Sequence, residues 1–479
     1  MQSQVLIENV DTILTMDEER RILHGHSILI EGQNIVYIGD GEGCPPLSDQ
    51  VVRMNGKDKV ALPGLINAHA HGLSILTRGG LSPNRRLRDW LVNVNRPGYE
   101  VCSIAEMEAG IRAFACECIK SGITTVVEME GFQGPEHTDA LLKMLTGMGL
   151  RVVYAPMFND RPLPPHLDEL VDLYRRMSPR SQESETSIFD TEEILGVLTD
   201  ILNRFHRQDE LVTVWPAIRT INEVRENTMR RMLELAEQHG TSLTLHLAES
   251  KILESERYGL SATDYLAALG CLDRKMVLAH CVWVNDRDIR LIKNSGARVV
   301  HNPAANLYLG SGIAPIHKII TAGIPVGLGL DNPNCNDGVN MWADMRLAAL
   351  VQKGKNLDAS CITAEKVLEM ATVEGARVVG LDKIGSLKAG MRADLVLVGT
   401  HYLHMQPLHY APPVLVYQAR GHEVDTVMIS GRIVMRDGNL EDVIEHEVVR
   451  ELNSASSTVI KRANITHLIH EKWAFPDTV

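Results

Sequence analysis

Short apolar runs alternating with amphipathic stretches divide the middle of this chain into a repeating pattern. Eight segments, near 61–66, 123–129, 150–157, 211–216, 241–247, 276–280, 297–300 and 324–330, are largely apolar and bounded by turn residues. That is the pattern of strands buried on both faces. Helical stretches lie between them, and Gly122, Gly149, Gly240, Gly296 and Gly323 each follow one and precede a strand. Glycine there supplies the left-handed conformation that ends a helix. Eight βα alternations across residues 59–383 predict an α/β protein with a distorted (β/α)8 TIM barrel. Functional side chains are then expected at the C-terminal ends of the strands.

The two ends carry a different period. Residues 27–39 alternate like a hairpin, residues 426–435 repeat the pattern, and Asp394–Val398 adds a strand. Neither end has enough strands for a stable sheet by itself. The expectation is a small β-sandwich built from both termini, residues 1–58 and 384–442, with the barrel inserted between its halves. Residues 443–479 form a C-terminal unit, in which a charged stretch from Val443 to Ala463 predicts a helix at the surface or at a subunit contact, followed by a tail.

Composition narrows the function classes. Of 479 residues 44% are apolar, the profile of a globular chain. The longest nearly apolar stretch, Ile319–Leu330, falls short of the ~20 residues that span a bilayer. Acidic residues near the start (Glu8, Asp11, Asp17) do not fit a secretory signal, so a cytoplasmic location is expected. The eight scattered cysteines form no C-x-x-C and read as reduced thiols. A net charge of -13 argues against nucleic-acid or anionic-membrane partners. A small-molecule substrate and a homo-oligomer are expected instead.

The chemistry sits where the apolar runs end. His69 and His71, at i and i+2, face the same way from a strand end. His246, His280 and Asp331 terminate three further runs. His69, His71, His246 and Asp331 make a mixed nitrogen and oxygen set without thiolate, the pattern of a catalytic metal site. Strand four offers no lysine to bridge two ions, so one divalent ion per subunit, Zn2+ or Fe2+, is expected. Such an ion lowers the pKa of its water from ~15.7 to about 7. Asp331 can also accept that water's proton, and His280 can hydrogen-bond the hydroxide. Glu249, three residues beyond His246, belongs on the loop entering the pocket, placed to shuttle a proton.

These residues carry a resemblance. Pro63-Gly64-Leu65-Ile66-Asn67-Ala68-His69-Ala70-His71, His246-x-x-Glu249, Ala279-His280-Cys281, His301-Asn302-Pro303 and Leu309–Pro315 resemble the mononuclear-metal amidohydrolase superfamily. Within it they are similar to aminohydrolases of nitrogen heterocycles. Leu76–Gly80, Arg88–Leu91, Asn306–Gly312 and Asn334–Met341 look most like the s-triazine branch, which contains atrazine chlorohydrolase and melamine deaminase. The resemblance implies hydrolytic deamination of an amino-substituted ring such as an s-triazine, pyrimidine or purine-like heterocycle, with metal-activated hydroxide as nucleophile. The alternative it leaves open is a chlorohydrolase of a chloro-s-triazine. Asn332 matches the dechlorinating pattern and Cys335 the deaminating one. Leu87 and Trp90, after strand one, are expected to cover the ring, and Glu128, ending strand two, to accept hydrogen bonds from ring amino groups.

Overall fold

Two prolines interrupt the parallel core. This computed structural model describes residues 3–81, 84–161, 189–207, 211–251 and 259–469. Strands Leu65–Ala70, Ile123–Glu128, Arg151–Tyr154 and Val212–Val214 form a four-stranded parallel sheet. A six-stranded parallel sheet holds Met157–Phe158, Ala217–Ile218, Leu243–Leu247, Met276–His280, Arg298–His301 and Val326–Leu328. Pro156 and Pro216 stand where the chain passes from the first sheet to the second. Proline lacks the N–H that a continuous ladder would need. A parallel bridge between Gly131 and Met157 spans one junction of the sheets. At the other, Ala70 bridges Asp331, whose N–H donates to the His69 carbonyl at 2.9 Å.

All five glycines that punctuate the sequence lie at positive φ, from 63° at Gly240 to 94° at Gly149. Three helices are also capped at their starts. Ser103 with Glu106, Asp190 with Glu193, and Asn285 with Asp288 form reciprocal capping boxes at helices Ile104–Lys120, Thr191–Phe205 and Asp286–Ser295. Each satisfies two otherwise orphaned donors.

The run near 61–66, expected as one strand, is two. Lys59–Pro63 pairs with Leu395–Gly399 and Thr12–Leu14, while Leu65–Ala70 opens the parallel core. Gly64 makes the switch because the chain passes too close to Thr124 for a side chain; a Cβ would stand 2.1 Å from its Oγ1. Both ends of the chain thus share one seven-stranded sheet, in which Lys59–Pro63 lies between Thr12–Leu14 and Leu395–Gly399. The predicted hairpins are present: His26–Glu31 with Asn34–Gly39, and Val424–Ile429 with Arg432–Arg436. Ile7, Ile28 and Ile30 of a four-stranded N-terminal sheet share an apolar cluster with Leu395, Leu397 and Met428. Arg151 grips Asp394 through Nε (3.0 Å) and Nη2 (3.2 Å), a buried pair joining the parallel core to the flanking strands.

The C-terminal helix, Glu445–Arg462, is not a bare surface element. Val448, Ala455 and Val459 are buried in the main core, and Arg462 holds Glu106 on helix Ile104–Lys120 (2.8 Å). Ile460 and Leu468 join a cluster with Leu87 and Trp90. Amphipathic burial within the chain explains its charge pattern. The rest of the predicted tail, from residue 470, lies outside the described residues. Among the described residues no helix is long and apolar enough to cross a membrane, and all eight thiols are free.

Candidate active site

Four imidazoles and two carboxylates meet at the C-terminal ends of four parallel strands. His69 stands 4.8 Å from His71 and 4.9 Å from His246, ring centre to ring centre, and 5.4 Å from His280. Asp331 Oδ1 lies 3.6 Å from His71 Nε2 and 3.7 Å from His69 Nε2. All of these side chains are buried.

Main-chain carbonyls set the tautomers. His71 Nδ1 donates to the Met129 carbonyl, and His246 Nδ1 donates to the Arg219 carbonyl at 2.8 Å. Each Nε2 is therefore left with a lone pair. Those two nitrogens face each other at 3.2 Å. Two lone pairs at that separation, away from water, repel unless a cation lies between or beside them. His69 adds two buried ring nitrogens with no hydrogen-bond partner. Burial holds the pKa of His69 and that of His246 well below the ordinary imidazole range and lowers that of His71 to about 3. The rings are thus neutral, the form that ligates metal. The donor set fits a divalent ion, and His69, His71 and Asp331 have ligand atoms close enough to share one.

The backbone is bent to aim these groups. Ala248, His280 and Asp331 each adopt left-handed φ, at 49°, 74° and 62°. That conformation is uncommon for residues with a side chain and clusters at functional sites. His280 Nδ1 is bonded to Asn306 Oδ1 at 2.8 Å, which aims Nε2 at Asp331 Oδ2 (3.8 Å) and Glu249 Oε2 (3.9 Å). Burial raises the Glu249 carboxyl to about 7, and the nearby Asp331 charge pushes the same way. A proton is therefore held in the site near neutrality.

A cavity of about 110 Å³ opens on this cluster. Leu87, Trp90, Leu91 and Leu309 form an apolar wall, and Glu130, Arg219 and Asn332 present polar atoms around it.

Residues 60–434 match the amidohydrolase family profile. The chain belongs to the amidohydrolase family. It is 31% identical to an S-triazine hydrolase of Gordonia rubripertincta, over 95% of this chain and 96% of the relative. It is 32% identical to a 5-methylthioadenosine/S-adenosylhomocysteine deaminase of Thermoanaerobacter pseudethanolicus, over 96% of this chain and the whole of that one. Among solved structures, an adenosine deaminase from Xanthomonas campestris with bound zinc superposes with a TM-score of 0.85 at 24% identity, covering 96% of this chain and 99% of that one. An atrazine chlorohydrolase from Arthrobacter aurescens complexed with zinc gives 0.83 at 22%, covering 94% and 100%.

In this amidohydrolase the residues singled out from sequence separate into two groups. His69, His71, His246, Glu249, His280 and Asp331 converge, and Leu87, Trp90 and Asn332 line the same cavity. Leu87 and Trp90 do so from a helical turn, Leu87–Trp90, rather than from a loop. Glu128 and Cys335 do not reach the cavity. Glu128 is fully buried one step deeper, its Oε1 accepting the Gly72 N–H at 2.7 Å. Two residues on, Glu130 accepts the Leu73 N–H (3.0 Å) and also faces the cavity, its carboxyl raised to about 7 by burial. Cys335 is packed behind the wall with Leu87, Trp90 and Leu309; burial drives its thiol well above the usual range.

Sequence reasoning missed Glu130, Arg219, Tyr99, Arg96 and Asn306. Arg219 and Glu130 each stand just past a strand's end, where extending the predicted runs by three residues and one residue would have found them. Tyr99 and Arg96 lie on the helix Arg96–Glu100 and carry no such positional signal.

His301, buried at the end of its strand with neither ring nitrogen partnered, gives a pH-dependent prediction. Burial lowers its pKa to about 3, with His280 adding to the effect. An unfolded histidine titrates near ~6.5, so the unfolded chain binds an extra proton between these values. Stability should therefore fall as pH drops below about 6.5. His301→Gln is expected to flatten that slope by one proton, read from urea unfolding between about pH 6.5 and 4. An unchanged slope would show the ring to be protonated in the fold.

Proposed function

We propose that this amidohydrolase is a metal-dependent hydrolytic deaminase of an amino-substituted N-heterocycle, an s-triazine, pyrimidine or purine-like ring. We further read the two parallel sheets as one distorted (β/α)8 barrel, flanked by a sandwich from both chain ends. The facing Nε2 lone pairs of His71 and His246, beside Asp331 and across from a proton-bearing Glu249, carry the reading. His69, His71, His246 and Asp331 would hold one ion; the nitrogen and oxygen donors suit zinc. Bound there, the ion supplies a water acidic enough to yield a nucleophile near pH 7.

The remaining work falls to the chain. Asp331 and His280 flank the position of the attacking water and can take its proton. Glu249 delivers a proton to the ring nitrogen beside the attacked carbon. The C–N bond then breaks, the amine leaves with a second proton, drawn from the attacking water and passed on by Glu249, and a hydroxy- or oxo-substituted ring remains. Trp90 and Leu87 provide an apolar surface for a flat ring, while Glu130 and Asn332 can bond to its polar edge. The volume of about 110 Å³ is below the roughly 300–1,000 Å³ of larger ligand sites. It supports a single ring over a nucleoside.

One observation favours a second reading, displacement of chloride from a chloro-s-triazine. Asn332 lies in the cavity wall and donates to Asp331 Oδ1 at 2.9 Å, so it borders the site of attack. The test is a panel of rings differing only in a 2-amino or 2-chloro group, with ammonia and chloride both quantified. Ammonia release, abolished by a chelator, is expected. Chloride release without ammonia would overturn the deaminase reading in favour of the second.

A further inference from the structure

At the opposite ends of the same strands the structure opens a larger and chemically different cavity. It measures about 1050 Å³, and its lining includes Arg298, the first residue of Arg298–His301, and Lys275, just before Met276–His280. His280 closes the other end of that strand, so five residues at ~3.3 Å each place the two cavities on the order of 16 Å apart.

Its charge is opposite to that of the molecule. The chain carries a net -13, yet eight of the lining residues are Arg or Lys, and Asp382 is the lone carboxylate among the described ones. Some of these cations are spoken for: Arg151 by Asp394, and Arg274 and Lys275 by the same Glu237 carboxylate at 3.1 and 3.4 Å. Others are not. Among the described residues no carboxylate lies within ion-pair distance of Arg207, Arg298, Arg377 or Lys383. Arg298 is held by neutral acceptors only, Ser242 Oγ at 2.6 Å and the Val378 carbonyl at 2.8 Å, and its Nε has no partner. Burial without a counter-charge pulls its pKa down to about 10.

Cations gathered around one space repel each other, and a recessed wall strengthens their field on anything that enters. Guanidinium groups match phosphate oxygens in pairs. We propose that this cavity binds a small organic polyphosphate of nucleotide size, at a site separate from the catalytic one. A single phosphate would fill only a small part of the volume and meet few of the charges.

Calorimetry on the metal-loaded protein with adenosine triphosphate, pyrophosphate, inorganic phosphate and adenosine tests this. The triphosphate is expected to bind at least about tenfold more tightly than inorganic phosphate, with adenosine silent. Arg377→Glu and Lys383→Glu, both at exposed positions, should each weaken triphosphate binding about tenfold or more. Their melting temperatures without ligand, and their hydrolytic activity, should match the parent. Asp331→Asn should leave triphosphate binding intact, which separates this site from chelation of the catalytic ion. Absence of triphosphate binding, binding unchanged in both charge-reversed variants, or binding lost with Asp331→Asn would each overturn the proposal.

Discussion

Glu249→Gln is expected to lower kcat on a 2-amino heterocycle by about 10²–10⁴-fold while leaving metal content unchanged. The carboxyl lies 3.9 Å from His280 Nε2 and is raised to about 7 by burial, so near neutral pH a large fraction carries the proton that an amine must receive. Glutamine keeps the shape and removes the transferable proton. The sign of the pH dependence follows. Activity that needs protonated Glu249 should fall as pH rises above about 7, and that limb should vanish in the variant. A 2-chloro ring provides the control, since chloride departs without protonation and should lose far less rate. Equal losses on both rings would show that Glu249 acts on the ring nitrogen or the attacking water and not on the leaving group.

His246→Ala should be more damaging still, because on the proposed reading it removes a ligand and a lone pair together. Metal content after dialysis, measured by elemental analysis, is expected to fall well below that of the parent, and turnover by about three orders of magnitude or more. Arg219→Met is the matching control. It strips the side chain from the residue whose carbonyl holds His246 Nδ1 but leaves that carbonyl in place, so metal content should be unchanged. A His246→Ala protein that kept its metal would remove this imidazole from the ligand set.

The core of the site could be read from the chain because its imidazoles and the Asp331 carboxylate lie at strand ends. A residue that ends an apolar run in an α/β protein is placed by the fold itself, which is why His69, His71, His246, His280 and Asp331 converge as expected. Elsewhere the local pattern underdetermines the placement. Glu128 satisfied the same rule but sits one pleat too deep, and the N–H of Gly72 claims its carboxylate. Cys335 matches the deaminating pattern by resemblance, but the short helix Pro333–Asn336 turns it behind the cavity wall. Pro156 and Pro216 were visible in the sequence, but the exchange of partners between two sheets depends on contacts far apart in the chain. The charges of the C-terminal helix point to the surface or a subunit contact, yet one apolar stripe packs Val448, Ala455 and Val459 into the core of the same chain.

Because peptide oxygens at positions 129 and 219, rather than carboxylate side chains, orient His71 and His246, the attacking machinery does not depend on which amino acids occupy those positions. Position 219 lines the cavity, so it can be exchanged to suit a new ring without disturbing the imidazoles beneath it. A scaffold wired in this way separates the choice of molecule from the power to hydrolyse it. Laboratory selection for altered specificity should therefore accumulate changes at 219 long before it touches the imidazoles.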